Sequence, residues 1–181
     1  MNWLIEKMAE GGETSAVIFR EKEYSYISLY QKIKDYCDDV RQQFKPGDVV
    51  AILSDYCFES IALFFALHEN HNIIVPITTK VQTEIDDRLK VSGCSYSIKI
   101  DSINSSWVAS KIVPSGGTHE LIKKLQAENR SGLILFSSGS TGTPKAMIHD
   151  LDNLIDTYKD KKGKRLVFLI FLMFDHIGGL N

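Results

Sequence analysis

The fold of this chain is indicated by two continuous apolar runs, Val49-Val50-Ala51-Ile52-Leu53 and Ile73-Ile74-Val75-Pro76-Ile77. Runs without polar alternation are typical of parallel strands that are buried on both faces of a sheet. The segment 58–67 between them is apolar nearly all round, as a crossover helix packed on a sheet can be. Strand, helix and strand in this order predict a right-handed βαβ unit, so we expect an α/β fold.

Patterns on both sides of this unit extend the predicted sheet. Upstream, residues 17–19 and 23–25 around a charged turn predict a small hairpin. Downstream, helices are predicted over 83–91, 121–129 and 151–162, and extended segments over 95–100, near 112, and over 133–136, 146–149 and 166–174. We therefore expect one domain, or part of one, with a mostly parallel sheet and helices on both faces.

The most clearly marked helix is predicted between the hairpin and the first apolar run. Its apolar residues recur at helical spacing and form a single stripe, namely Leu29, Ile33, Tyr36, Cys37, Val40 and Phe44. Ser28 and Gln31 can form a capping box at its start, with Ser25 as a rival cap. The sequence Lys-Pro-Gly-Asp at 45–48 ends it.

Composition excludes several classes of protein. With 181 residues, 44% of them hydrophobic, the chain can bury one ordinary globular core, and its net charge of −2 does not suggest a nucleic-acid partner. The longest apolar run, 166–174, is too short to span a membrane and is interpreted as a buried strand. The N-terminus shows no secretion signal. Three isolated cysteines, Cys37, Cys57 and Cys94, argue against a disulfide scaffold and favour the cytoplasm.

Two charged or polar clusters have ordinary explanations. His68 and His71 can share one face of a helix and bind a metal ion, but no third ligand is in sight. We interpret this pair as a solvated helix end and predict no metal site. The basic stretch 159–165 lies beside Asp156 and Asp160, and it is interpreted in the same way.

The most informative segment directly follows the predicted strand 133–136. It reads Ser137-Ser138-Gly139-Ser140-Thr141-Gly142-Thr143-Pro144-Lys145. Open α/β sheets bind ligands at the carboxyl ends of their strands, where this loop lies. Its glycines allow backbone N–H groups to approach an anion, while its hydroxyls and its lysine add donors. The segment therefore predicts a polyphosphate site formed by Ser138, Gly139, Ser140, Thr141, Gly142, Thr143 and Lys145.

Two alternative explanations apply to this loop. The same residue types make flexible surface turns, but the full pattern after an apolar strand favours a phosphate site. The P-loop of nucleotide triphosphatases fails on two positions, because Pro144 stands in place of a glycine and Ala146 in place of the magnesium-binding Ser or Thr.

The segment 136–145 resembles the phosphate-binding signature of the adenylate-forming superfamily, which includes acyl-CoA synthetases and the adenylation domains of nonribosomal peptide synthetases. Ala146 departs from the usual glycine after the lysine. Other stretches are similar to family segments in the same order, namely 24–29, 47–52, 73–77, His149 and 174–180. The resemblance extends over essentially the whole chain and implies that residues 1–181 are the N-terminal part of an AMP-binding domain.

The segment around residue 175 permits two alignments. The His-Ile-Gly-Gly match implies that His176 lines the acyl pocket as a catalytic residue near the reacting carboxylate. In the amino-acid-activating branch, the Phe-Asp match implies instead that Asp175 binds the amine of the substrate. In isolation, His176 can equally be a structural histidine beside a glycine turn.

The resemblance implies an ATP- and Mg²⁺-dependent acid ligase. A carboxylate attacks the α-phosphate of ATP to give acyl-AMP and release pyrophosphate. The thiol of coenzyme A or of a carrier protein's phosphopantetheine then takes the acyl group, and AMP leaves. Thr141, Thr143 and Lys145 are the expected phosphate contacts, and Gly139 and Gly142 supply backbone donors. The identity of the acid stays open.

The family's later elements, among them the catalytic lysine of a C-terminal domain, are not among the 181 residues. The chain is therefore expected to end before the active site is complete, to be inactive alone, and to self-associate through the apolar segment 166–174. Two other hypotheses are a non-catalytic remnant or interaction module that keeps the fold, and a generic nucleotide-binding protein.

Overall fold

The computed structural model of the chain describes residues 2–114, 117–137, 145–161 and 166–180. The helices in these ranges are α1 (Trp3–Glu10), α2 (Tyr26–Gln43), α3 (Phe58–Glu69), α4 (Gln82–Ser92), α5 (Glu120–Ala127), α6 (Leu151–Asp156) and α7 (Ile177–Leu180). The strands are β1 (Ser15–Phe19), β2 (Lys22–Ser25), β3 (Val49–Leu53), β4 (Ile73–Pro76), β5 (Tyr96–Asp101), β6 (Ser106–Lys111), β7 (Gly132–Ser137) and β8 (Lys145–Asp150).

Six strands form the main sheet in the order β6-β5-β3-β4-β7-β8. The four central strands β5, β3, β4 and β7 are parallel, whereas β6 and β8 pair with their neighbours in antiparallel fashion. Strands β1 and β2 form a separate hairpin. The structure confirms the predicted βαβ unit, the hairpin and the mostly parallel sheet.

Helices cover both faces of this sheet, as predicted. Successive residues of a strand point to opposite faces of the sheet. Val50 and Ile52 of β3 therefore pack against α2 and α3 on the first face, whereas Val49 and Ala51 pack into a second apolar cluster on the other face. Helices α1 and α6 lie on the first face, and α4 and α5 lie on the second. Strands β3 and β4 and the first four residues of β7 are therefore buried on both sides, which explains their unbroken apolar sequences.

Helix α2 buries the predicted apolar stripe, including Leu29, Ile33 and Val40. Its N-cap is Ser25, whose side chain accepts a hydrogen bond from the backbone N–H of Ser28 at 3.3 Å. The helix therefore begins one turn earlier than a cap at Ser28 would place it, and the rival cap is the correct one.

Several expectations about local structure were incomplete or wrong, including the short strand near 112, which the structure gives as Ser106–Lys111 (β6). The segment 166–174 forms no strand within the described residues, and 166–171 are exposed. Its hydropathy predicted burial, but a strand needs a neighbour with which to pair its backbone. Helix α6 ends at Asp156 rather than at 162, and α1 was not predicted.

None of the helices in the described ranges has the length and apolar character needed to cross a membrane.

His68 is a structural histidine and not part of a solvated helix end, which corrects the interpretation from sequence. It is only 2% exposed, and its Nε2 lies 2.8 Å from Oδ1 of Asp152 in α6. Oδ2 of Asp152 accepts a hydrogen bond from the backbone N–H of Ser131, just before β7. Among the described residues, no three potential ligands converge on a metal site. The network instead joins the end of α3 to β7 and α6.

This network makes stability depend on pH. Burial alone would raise the pKa of Asp152, but hydrogen bonds from His68 and Ser131 outweigh it and hold the pKa below its ordinary value of 3.8. We expect Asp152→Ala to lower the free energy of unfolding by about 1.5–3 kcal/mol at pH 7. A lowered pKa contributes its full stability above the unfolded value of 3.8 and loses it as the pH falls through the lower pKa of the folded protein, so the difference from wild type should shrink below pH 3.8.

Urea denaturation at pH 7 and at pH 3 measures this effect. Asp38→Ala is the matched control, because the side chain of Asp38 is 77% exposed and its ion pair with Arg41 is a surface pair. A loss for Asp152→Ala that is equal at both pH values would contradict the assignment.

Candidate active site

The carboxyl ends of the parallel strands form one edge of the sheet. Asp55 follows β3, Thr78 follows β4, and Ser137 ends β7. Because parallel strands end at the same edge, these three residues lie on the side where α/β sheets bind ligands.

Strands β7 and β8 pair so that the residues on either side of the predicted phosphate loop lie at this edge. Ser137 is the register partner of Lys145, so the two residues face each other across the ends of the loop. Lys145 is exposed to solvent. The structure therefore brings Lys145 to the carboxyl edge, while the predicted contacts Ser138, Gly139, Ser140, Thr141, Gly142 and Thr143 lie outside the described residues.

The segment 173–176 crosses the same edge and is attached to the ends of two strands. The backbone N–H of Phe174 donates to Oδ1 of Asp55 at 3.0 Å. Thr78 donates from its backbone N–H to Oδ2 of Asp175 at 3.3 Å and from its hydroxyl to the sulfur of Met173 at 3.3 Å. These bonds hold residue 175 between β3 and β4.

The side chain of Phe174 anchors the segment 173–176 in the hydrophobic core. Its ring centroid lies 4.8 Å from that of Tyr56 and 5.5 Å from that of Phe64, within the core beside α3. The ring also borders an open apolar cleft of about 680 Å³ on this face. Other side chains that line the cleft include Leu4, Tyr26, Leu29, Phe65, Phe168 and Ile170.

Asp175 forms an ion pair with Arg88 of α4. Nη1 of Arg88 lies 2.7 Å from Oδ2 of Asp175, and the two side chains are 21% and 12% exposed. The guanidinium also lies over the ring of Phe136 in β7, 5.4 Å from its centroid. Charge-assisted bonds of this length are among the stronger hydrogen bonds in proteins.

Among the described residues, neither of the two histidines that the resemblance singled out is a hydrogen-bond partner of this ion pair. His176 is exposed, and its Nδ1 accepts a hydrogen bond from the backbone N–H of Gly178 at 3.1 Å. His149 faces Leu133 in the register of β8 with β7, four residues along the strand from Lys145. At about 3.3 Å per residue it lies roughly 13 Å from the loop end of the strand. The role of His176 in the acyl pocket stays a prediction.

Sequence reasoning did not single out Asp55, Thr78 or Arg88. Asp55 and Thr78 each lie two residues after the end of an apolar strand. Because α/β sheets bind ligands at the carboxyl ends of their strands, that position in the sequence could have identified both as candidate site residues. Arg88 lies within α4, and nothing in the local sequence indicates its partner across 87 residues.

Sequence comparison finds relatives among large synthases. The chain is 27% identical over 150 residues to bacitracin synthase 1 of Bacillus licheniformis, a match that covers 79% of this chain and 3% of that protein. It is 25% identical over 142 residues to the phenyloxazoline synthase MbtB of Mycobacterium sp. (strain MCS), covering 75% of this chain and 12% of that protein. The chain thus spans a small part of these relatives.

Solved structures share the fold. The o-succinylbenzoate CoA synthetase MenE of Bacillus subtilis, in complex with the acyl-adenylate intermediate OSB-AMP, gives a TM-score of 0.69 at 19% identity over 99% of this chain and 51% of that one. The NpsA N-terminal subdomain of Klebsiella oxytoca, in complex with 3-hydroxyanthranilyl-AMSN, gives 0.61 at 23% identity over 80% and 39%. The family model described as AMP-binding enzyme matches residues 4–181, so the chain belongs to the AMP-binding enzyme family.

Proposed function

We propose that the protein containing this chain uses ATP to activate a carboxylic acid as an acyl-adenylate and passes the acyl group to a thiol. The observation that carries the proposal is the family match over residues 4–181. In this proposal residues 1–181 are the N-terminal part of the AMP-binding domain, and the chain alone does not complete the reaction. The three free cysteines are buried, which fits a reducing compartment such as the cytoplasm.

The proposed phosphate site combines the loop with Lys145. Lys145 is exposed beside Ser137 at the carboxyl edge, where its charge can reach a bound polyphosphate. The loop glycines and hydroxyls would supply further donors to the β- and γ-phosphates as charge builds on the leaving pyrophosphate. Mg²⁺ would be bound by the phosphates together with water and one or two carboxylates, as is usual for this ion. His176 is the proposed acyl-pocket residue.

The proposed acceptor is the thiol of coenzyme A or of a carrier protein. MenE is a CoA synthetase, whereas another structural neighbour is an artificially fused adenylation–PCP di-domain from Klebsiella oxytoca. The first agrees with coenzyme A and the second with a carrier protein.

Carboxylate-dependent ATP–pyrophosphate exchange tests the proposal. The assay uses the longest natural reading frame that encodes this chain, with a panel of aliphatic, aryl and amino acids. Exchange that appears with some acids only would support adenylation and identify the class of acid. A folded protein that gives no exchange with any acid would overturn the proposal in favour of a non-catalytic role, and ATP turnover without any acid would favour a generic nucleotide-binding protein.

We also expect the 181-residue chain to self-associate. Residues 166–171 are apolar and exposed, and Phe168 and Ile170 border the open cleft beside Phe174. Apolar surface of this kind favours contact with a second copy. Sedimentation velocity should show a concentration-dependent monomer–dimer equilibrium that Phe168→Ser shifts toward the monomer. A monomer at all concentrations would contradict this expectation.

A further inference from the structure

The carboxylate of Asp175 and the ring of Phe136 together form a binding position for a cation. A carboxylate oxygen and the face of an aromatic ring are two groups that attract positive charge. The guanidinium of Arg88 occupies this position, 2.7 Å from Oδ2 of Asp175 and 5.4 Å from the ring centroid of Phe136.

The position is partly buried and lies at the candidate active site. Asp175 is 12% exposed and Arg88 is 21% exposed, so solvent screens their interaction only in part. Thr78 donates to the same carboxylate oxygen from the end of β4, and Phe136 is adjacent to Ser137 at the end of β7. A ligand that reaches the carboxyl edge therefore finds the carboxylate of Asp175 already in an ion pair with Arg88.

A cation tethered to the chain competes strongly with a cation in solution. Arg88 is held by its own helix at a high effective concentration, so a ligand ammonium group must displace it to reach Asp175. Without Arg88, the uncompensated Asp175 would attract an ammonium group and would repel an incoming carboxylate. The charge of Arg88 thus favours one class of acid over another.

We propose that Arg88 is a specificity-determining residue that occupies a cation subsite formed by Asp175 and Phe136. By filling this subsite, Arg88 excludes acids that carry an ammonium group and leaves acids without one as substrates. The statement about substrates rests on the proposed function, whereas the subsite itself can be tested by binding alone.

A binding experiment on the 181-residue chain tests the subsite. The ¹⁵N-labelled wild type, Arg88→Ala, and the double variant Arg88→Ala/Asp175→Asn are titrated with ethylammonium chloride, with sodium chloride as the control for ionic strength. The backbone amide signals of residues 78, 136 and 175 report binding. Arg88→Gln serves as a second variant that keeps the side-chain stem if alanine disturbs the fold, and Arg88→Lys keeps the charge.

Saturable shifts are expected in Arg88→Ala and Arg88→Gln, with affinity at least about tenfold above that of wild type, of Arg88→Lys and of the double variant. Equal affinity of the wild type and the uncharged variants would overturn the proposal. So would binding that survives Asp175→Asn, or the absence of saturable shifts from both uncharged variants.

The exchange assay on the complete reading frame tests the effect on substrates. Phenylalanine and 3-phenylpropionate form a matched pair that differs only in the ammonium group. Arg88→Ala should raise the exchange rate with phenylalanine relative to 3-phenylpropionate by about tenfold, and an unchanged ratio would overturn the substrate assignment. Absence of exchange with every acid would instead contradict the proposed function, and the binding experiment would still decide whether the subsite exists.

Discussion

Replacing Lys145 by alanine should lower ATP–pyrophosphate exchange by about 10²–10³-fold, the usual cost of removing one group that stabilises developing charge. Lys145 begins β8 opposite Ser137, so its ammonium group is available at the end of the predicted phosphate loop. The side chain is exposed, and its loss should therefore change the free energy of unfolding by no more than about 0.5 kcal/mol. The measurement is exchange by the complete reading frame with the acid that supports it.

Lys111→Ala is the matched control for this variant. Lys111 is also an exposed lysine at one end of an outermost antiparallel strand. It ends β6, however, and β6 and β8 are the outermost strands on opposite sides of the sheet. Its replacement should leave exchange unchanged. A Lys145→Ala enzyme with unimpaired exchange would refute the assignment of Lys145 to the phosphate site.

The second large effect is expected at Phe174. The side chain is 2% exposed and packs against the rings of Tyr56 and Phe64, so Phe174→Ala leaves a cavity in the core. We expect a loss of about 3–5 kcal/mol in the free energy of unfolding. That is a large part of the about 5–15 kcal/mol that stabilises a typical domain.

Urea denaturation of the 181-residue chain measures this loss, and Phe171→Ala is its internal control. Phe171 is the same residue type three positions earlier, but it is 83% exposed, so its replacement should cost about 0.5 kcal/mol or less. Equal urea midpoints for the two variants would show that Phe174 is not part of the core. Packing of Phe174 could then not be what holds residue 175 at the carboxyl edge of the sheet.

The sequence alone was sufficient to predict the central βαβ unit, the hairpin and helix α2. These features are local, because a continuous apolar run such as 49–53 or a helical stripe such as that of α2 carries its own periodicity. The glycine-rich loop directly follows β7 in the sequence, but residues 138–144 lie outside the described part of the chain, so its phosphate-binding role stays a prediction. The six loop contacts at 138–143 and the role of His176 stay predictions.

Only the tertiary structure decided which distant residues meet. Arg88 and Asp175 are 87 positions apart, and His68 and Asp152 are 84 apart, so no periodic pattern could pair them. The segment 166–174 illustrates the reverse case, because its apolar residues predicted a buried strand that has no partner to pair with among the described residues. Hydropathy reports a preference for burial, whereas burial itself depends on the surfaces that the folded chain brings into contact.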